Sequence, residues 1–261
     1  MSARKMPRQP VPCGRISVAI TLCCFMGFLH KKLGSTFSES NTTSPSIPDV
    51  QIFDFPPGFD EPSHMDPLDP SVLLPRGFVG IDTAHRQGRI HVGSIMYVID
   101  TRGLVLLLRR GPDLVTCPGT WSVVGEHHFR DEEPRDAARR GIIEELGRAF
   151  WDGGVEGVSE LTPLPLYYIR DYGSANENRV DRQLTYLWEV RLKKDHEVVH
   201  LELDEEVADH RWVSLGTFKK WLEDDGADDV FKDFCHETIA ILLQQGLDGL
   251  ENRLDRQRGN K

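Results

Sequence analysis

The chain has 261 residues, with 31 Lys and Arg against 41 Asp and Glu, for a formal net charge of −10. This length supports one good core plus accessory segments, and the acidic balance excludes a general nucleic-acid polymer binder, whose surface is basic. Five cysteines, at 13, 23, 24, 117 and 235, keep no metal-ligand spacing, so neither a zinc site nor a disulfide framework is expected.

At the N-terminus Arg4, Lys5, Arg8 and Arg15 precede the apolar run Ile16 to Leu29, and His30, Lys31 and Lys32 follow it. The layout predicts that residues 1–34 are a secretory signal peptide or an uncleaved signal-anchor, although the run is shorter than the roughly 20 residues of a full span. The positive charge before it would leave the N-terminus cytosolic and the rest of the chain across the membrane. The expected location is therefore a membrane, held by a single-pass N-terminal anchor, or the secretory pathway or an organelle reached through it. Residues 35–75 are rich in Ser, Thr, Pro and Asp and read as a disordered linker. They carry a glycosylation sequon at Asn41-Thr42-Thr43.

From about Arg76 the texture changes. Residues 89–100, 104–110 and 120–125 read as strands separated by turn signals. A helix over 134–148 follows, with Pro134 in its first turn, Ala138, Ile142, Leu146 and Ala149 on one face and Gly147 near its end. Next come the strand-like segments LPLYYIRDY, RQLTYLWEVRL and HRWVS, and a helix capped by Ser214 that carries Phe218, Trp221 and Leu222. A last amphipathic helix is expected over roughly 229–245, and the charged tail 251–261 is expected to fray. Strands and helices interleave, which predicts an α/β (α+β) fold for residues 76–250: a mixed β-sheet sandwiched between α-helices.

The 134–148 helix ends on adjacent carboxylates, Glu144 and Glu145, with Asp131, Glu132 and Glu133 before its start. Such a cluster either faces water or binds a hard cation through oxygen. Arg109 and Arg110 end a strand, and alternation turns only one of them, Arg110, toward a cleft.

The stretch GEHHFRDEEPRDAARRGIIEELG, Gly125 to Gly147, resembles the Nudix box, whose pattern is Gly-x5-Glu-x7-Arg-Glu-U-x-Glu-Glu-x-Gly-U with U a bulky apolar residue. Aligned on Gly147, Glu132, Arg140, Ile142, Glu144 and Glu145 keep their places without a gap. Three positions depart: Glu126 stands at the opening glycine, Gly141 at the glutamate after the arginine, and Arg148 at the last apolar position. The flanks RGLVLLLRRGPDLVTCPGTWSVVGEH and LDEEVADHRWVSLGTF are also similar to the family. The resemblance implies the Nudix fold and a pyrophosphohydrolase that uses Mg²⁺ (or Mn²⁺) on a small-molecule diphosphate, either a nucleoside diphosphate linked to another moiety or another organic diphosphate. Carried over by position, Glu132, Glu144 and Glu145 hold the metal, and Glu145, Glu144 and Glu205 are the catalytic carboxylates. Arg110 and His127 contact substrate. No nucleic-acid polymer is expected as a partner; membrane association would come through residues 16–29.

Two alternatives stand beside this reading. Isopentenyl-diphosphate isomerases share the Nudix fold, lack the glutamate at the Gly141 position and bind metal through histidines; His85, His91 and His127 or His128 resemble that set. The isomerase cysteine position falls here on Gly125 or Glu126, and its second metal glutamate on Arg179. The last alternative is a catalytically inactive Nudix fold used for binding.

Overall fold

The computed structural model describes residues 49–114, 116–173, 178–223, 234 and 237–259. Residues 1–34 and the Asn41 sequon lie outside them. Among the described residues no helix is long and apolar enough to cross a membrane.

Two strands form the centre. β3 (Ile90–Ile99) and β9 (Val180–Leu192) run parallel in unbroken register from Ile90 opposite Arg182 to Ile99 opposite Arg191. Every other pairing is antiparallel: β1 (Asp49–Asp54) with β2 (Leu74–Gly80), β4 (Leu104–Arg110) with β10 (Val207–Ser214), β6 (Val124–His127) with β3, and β7 (Val155–Glu160) and β8 (Leu166–Asp171) with β9. The short β5 (Trp121–Ser122) joins β4.

Side chains alternate across this sheet with period two, and the alternation makes two cores. Met96, Val98, Leu106 and Leu108 pack with Ala138, Ile142 and Leu146 of α2 (Pro134–Leu146) and Phe150 of α3 (Arg148–Gly154). Their neighbours Tyr97, Ile99, Val105 and Leu107 face the other way, onto Phe218 of α4 (Leu215–Glu223) and Leu243, Leu247 and Leu250 of α5 (Glu237–Gly259). The expected mixed sheet between helices is the observed architecture. The remaining helix, α1 (Ile81–Arg86), links β2 to β3.

Several sequence expectations need correction. Residues 49–75, read as part of a disordered linker, form β1, a 3-10 turn at Pro70–Val72 and the start of β2. Val50, Ile52, Leu68 and Leu73 are buried there, and four well-placed apolar side chains outweigh a Pro- and Asp-rich composition. The helix expected over 134–148 stops at Leu146, because Gly147 adopts φ 96°, a conformation that favours glycine. This break resets the helical phase, so Phe150 is buried and Ala149 is exposed. The tail after Leu250, expected to fray, is helical as far as Gly259 in α5, and Arg253 donates to Glu189 Oε2 at 2.7 Å and to the Glu160 carbonyl at 2.7 Å. Cys117 is disulfide-bonded, which the cysteine spacing did not foretell.

Candidate functional site

Arg140 organises the start of α2. Its Nε donates to Glu132 Oε1 at 2.9 Å, and its Nη2 to Glu132 Oε2 at 2.9 Å and to the His127 carbonyl at 2.6 Å. Its Nη1 donates to Glu144 Oε2 at 2.9 Å and lies 3.1 Å from Glu126 Oε2. The guanidinium stacks over Phe129 at 3.6 Å. Burial works against its charge, but the hydrogen bonds it donates to Glu132 and the charges of Glu126 and Glu144 hold it above its ordinary value.

This network redistributes the expected metal ligands. Glu132 commits Oε1 to Arg140 and Oε2 to both Arg140 and the Phe129 N–H. Burial pushes its carboxyl up, but those bonds bring it below the usual range. Glu132 therefore fixes the turn and Arg140. Glu144 gives one oxygen to Arg140. Glu145 faces a different set: burial, then Asp204, Glu206 and Glu144, push its carboxyl up to about 7 against the pull of Arg110. The loop after β9 brings Asp204 and Glu206 near this carboxylate, the Asp204 N–H donating to the Glu145 carbonyl at 3.2 Å; Glu205, the expected catalytic residue, and Glu206 are both exposed.

Three histidines meet near the other end of β6. His85 comes from the last turn of α1, His91 from the start of β3 and His127 from the end of β6. Their ring centroids are 5.1 to 5.3 Å apart, and one ligand atom from each lies within 4.8 Å of the others. Asp181, at the start of β9, places Oδ1 3.3 Å from His91 Nε2 and 3.7 Å from His85 Nε2. His85 Nε2, His91 Nε2 and Asp181 Oδ1 are all buried without a hydrogen-bond partner. Buried polar atoms normally find partners because leaving them bare is costly, and a divalent cation would satisfy all three together. Burial, with the neighbouring histidines, depresses His85 and pushes His127 far down, so both rings are neutral, the form that ligates metal. Imidazole nitrogens with one carboxylate suit Zn²⁺, Mn²⁺ or a similar transition ion better than Mg²⁺, which prefers oxygen.

The outer contacts of the cluster are in place. His91 Nδ1 lies 3.1 Å from the Arg89 carbonyl, which turns Nε2 inward. The Gln183 amide lies 3.1 Å from His127 Nδ1 and 2.9 Å from Thr185 Oγ1. An amide rotation lets its carbonyl accept the His127 Nδ1–H, as a ligating Nε2 requires.

Arg110 connects the two halves, acting electrostatically on Glu145 and on His127. It is half-buried, its Nε donating to the Thr116 carbonyl at 3.1 Å, whereas Arg109 is exposed. It also acts on Tyr172, whose hydroxyl is pushed up to about 12 by burial and Asp181. Of the residues singled out from sequence, Arg110, His127, Glu144 and Glu145 share this region. Sequence reasoning missed Asp181, Gln183 and Asp204. The expected position of the second metal carboxylate is Arg179, which pairs with Asp82; Asp181, two residues on at the start of β9, is the carboxylate beside His91 and His85.

The family model for the NUDIX domain matches residues 89–234. Among curated proteins, the chain is 38% identical over 72 residues to isopentenyl-diphosphate Delta-isomerase 2 of Aromatoleum aromaticum, a match covering 27% of this chain and 38% of that protein. It is 28% identical over 153 residues to isopentenyl-diphosphate Delta-isomerase of Burkholderia multivorans, covering 54% of this chain and 73% of that one. Similar solved structures include DR0079 of Deinococcus radiodurans, with TM-score 0.43, 16% identity and coverage of 61% of this chain and 88% of that one. Another is the E. coli dihydroneopterin triphosphate pyrophosphohydrolase, with TM-score 0.41, 12% identity and coverage of 58% and 92%. With its box aligned from Glu132 to Gly147 and more than half its length matched by the family model, the chain belongs to the NUDIX domain family.

Proposed function

We propose that this protein is a metal-dependent Nudix hydrolase that cleaves the diphosphate linkage of a small organic diphosphate. The observation that carries the reading is the box carboxylate Glu145 at the end of α2, whose carbonyl accepts the Asp204 N–H at 3.2 Å, so that Asp204 stands beside it. The Arg110 guanidinium can hold phosphate oxygens, and the chain offers two sets of cation ligands: the carboxylates Glu145 and Glu144, and the histidine cluster with Asp181. The repulsion among Glu145, Asp204, Glu206 and Glu144 is what a bound cation would relieve. A divalent cation there supplies charge neutralisation on the phosphate oxygens and a more acidic water. Asp204 and Glu206, whose charges act on Glu145, are the candidates for accepting that water's proton.

A second reading, an isomerase acting on an isoprenoid diphosphate, is favoured by the histidine cluster and by the names of the curated relatives. Against it, Gly125 and Glu126 stand where the thiol is expected, and Cys117 is disulfide-bonded. Without a thiol, proton transfer at carbon lacks a main participant.

The test is to incubate the full-length protein, with Mg²⁺ or Mn²⁺, with ADP-ribose, NADH, dinucleoside polyphosphates, CoA and isopentenyl diphosphate. Cleavage that needs metal and falls about 100-fold or more in Glu145→Gln is expected. Isomerised product without cleavage would replace this reading with the second one.

A further inference from the structure

A buried arginine stands across from the carboxylate of the histidine cluster. Arg170 in β8 lies directly opposite Asp181 in β9, and residues opposite each other in an antiparallel pair share a face of the sheet. The Arg170 guanidinium lies over the Tyr172 ring, 4.2 Å from its centroid, and its Nη1 is 2.9 Å from Cys117 Sγ. The Tyr172 ring is in turn 6.5 Å from the His85 ring.

The loop after β4 brings a second arginine to the same place. Arg110 Nε donates to the Thr116 carbonyl at 3.1 Å and its Nη2 to Thr116 Oγ1 at 3.5 Å. Arg110 and Arg170 are therefore held by consecutive residues, Thr116 and Cys117. That loop is tied down: the Gly119 N–H donates to the Gly111 carbonyl at 3.3 Å and the Arg110 N–H to the Thr120 carbonyl at 2.9 Å.

Both guanidiniums act on the Tyr172 hydroxyl, and Arg170 hydrogen-bonds to it. Arginine only donates, so the bond from Arg170 takes a lone pair of the phenol oxygen and turns the phenol proton elsewhere. The Arg110 bonds to Thr116 engage Nε and Nη2 and leave Nη1, among the described residues, for a ligand. An O–H donor with a guanidinium beside it suits an anion that carries several oxygens, and a guanidinium matches phosphate geometry.

We propose that Tyr172 and Arg110 hold phosphate oxygens of the diphosphate, and that Arg170 is a positioning residue, which sets the direction in which the Tyr172 hydroxyl donates. The pocket adjoins the histidine cluster through Asp181 and His85. This inference deepens the hydrolase reading above and rests on its diphosphate substrate.

The experiment measures, by calorimetry with Mn²⁺ present, the binding of methylenediphosphonate to the full-length protein. This probe is a diphosphate analogue whose bridging carbon resists hydrolysis. Tyr172→Phe keeps the ring under Arg170 and removes only the hydroxyl, and should weaken binding about tenfold or more, as the loss of a hydrogen bond to a charged group does. Arg170→Gln should weaken it to a similar extent. The double variant Tyr172→Phe/Arg170→Gln should bind no more weakly than Arg170→Gln alone, because Arg170 acts through the hydroxyl; losses that add would overturn its positioning role. Equal binding by Tyr172→Phe and the unaltered protein would overturn the pocket, and so would an unaltered protein that does not bind the probe. Metal-dependent cleavage of the panel in either case would leave the hydrolase reading standing. Weakened binding by Tyr172→Phe with no panel member cleaved would sustain the pocket and overturn only the hydrolase reading.

Discussion

His91 Nε2 stands 3.3 Å from Asp181 Oδ1, and neither atom has a hydrogen-bond partner. The parallel pairing of β3 and β9 makes them neighbours, since His91 lies opposite Gln183 and Ile90 opposite Arg182. A histidine–carboxylate pair left bare in a buried setting fits a metal position completed by His85 and His127. Metal content after purification should fall about tenfold or more in His91→Ala and in Asp181→Asn, as elemental analysis can measure. Equal Zn²⁺ and Mn²⁺ content in the unaltered and Asp181→Asn proteins would remove the cluster from the account.

Glu145 should separate activity from stability. Its carboxyl, pushed up by burial and by Asp204, Glu206 and Glu144, is costly to ionise in the metal-free protein. Glu145→Gln keeps the shape and removes the charge. It should abolish cleavage and, in EDTA at pH 8, melt at a higher temperature than the unaltered protein. A lower melting temperature would mean that the site is not strained by like charge.

The same carboxylates set a pH dependence. Burial first, against the pull of Arg140 and with the push of Glu144, raises Glu126 to about 8; Glu145 is raised to about 7, and the ordinary value for both is 4.5. Because the folded-state values lie above the unfolded ones, their contribution to stability is full below about 4.5 and is lost as pH rises through about 7 and 8. His85, His127 and His128 are depressed from 6.5, so their contribution is lost on acidification and stays constant above that value. From pH 6.5 through 8 the carboxylates therefore act alone, and the melting temperature in EDTA should fall. Saturating Mg²⁺ should flatten the slope, since a bound cation keeps carboxylates ionised. A flat profile in EDTA would contradict these assignments.

Ser94 anchors the strand behind the site. Trp188 Nε1–H donates to Ser94 Oγ at 2.9 Å, and the hydroxyl lies 2.7 Å from His128 Nε2. Burial depresses His128 to about 4, so it is neutral and can accept the Ser94 proton. Ser94→Ala strands two buried groups and should cost about 1–3 kcal/mol for each, read as a lower urea midpoint with an unchanged slope. No loss would show that the bridge contributes nothing to stability.

The fold was legible because its signals are local. Period-two alternation in Met96–Ile99 and Val105–Leu108 names both faces of the sheet, and Ala138, Ile142 and Leu146 name the buried stripe of α2. The N-terminal β1 was hidden because Val50 and Ile52 sit in a Pro- and Asp-rich stretch, and only pairing with Phe78 and Val79 reveals them. In the site, Arg110, Glu144 and Glu145 could be placed from box position and strand alternation. The role of Glu132 could not, because its two oxygens are claimed by Arg140 and Phe129 through a turn whose shape spacing does not specify. Asp181 and Gln183 join His91 only through a parallel pairing that spans about half the domain, and no short-range pattern records it.

The central claim is that the Arg110-centred site directs water onto a phosphorus atom. The most direct measurement is turnover of the diphosphate panel in water labelled with heavy oxygen, with Mg²⁺ and with EDTA, followed by mass spectrometry of the products. The account predicts one labelled oxygen on a phosphate product with Mg²⁺ and no product in EDTA. Product without the label, or isopentenyl diphosphate converted to its isomer with both phosphates intact, would contradict it.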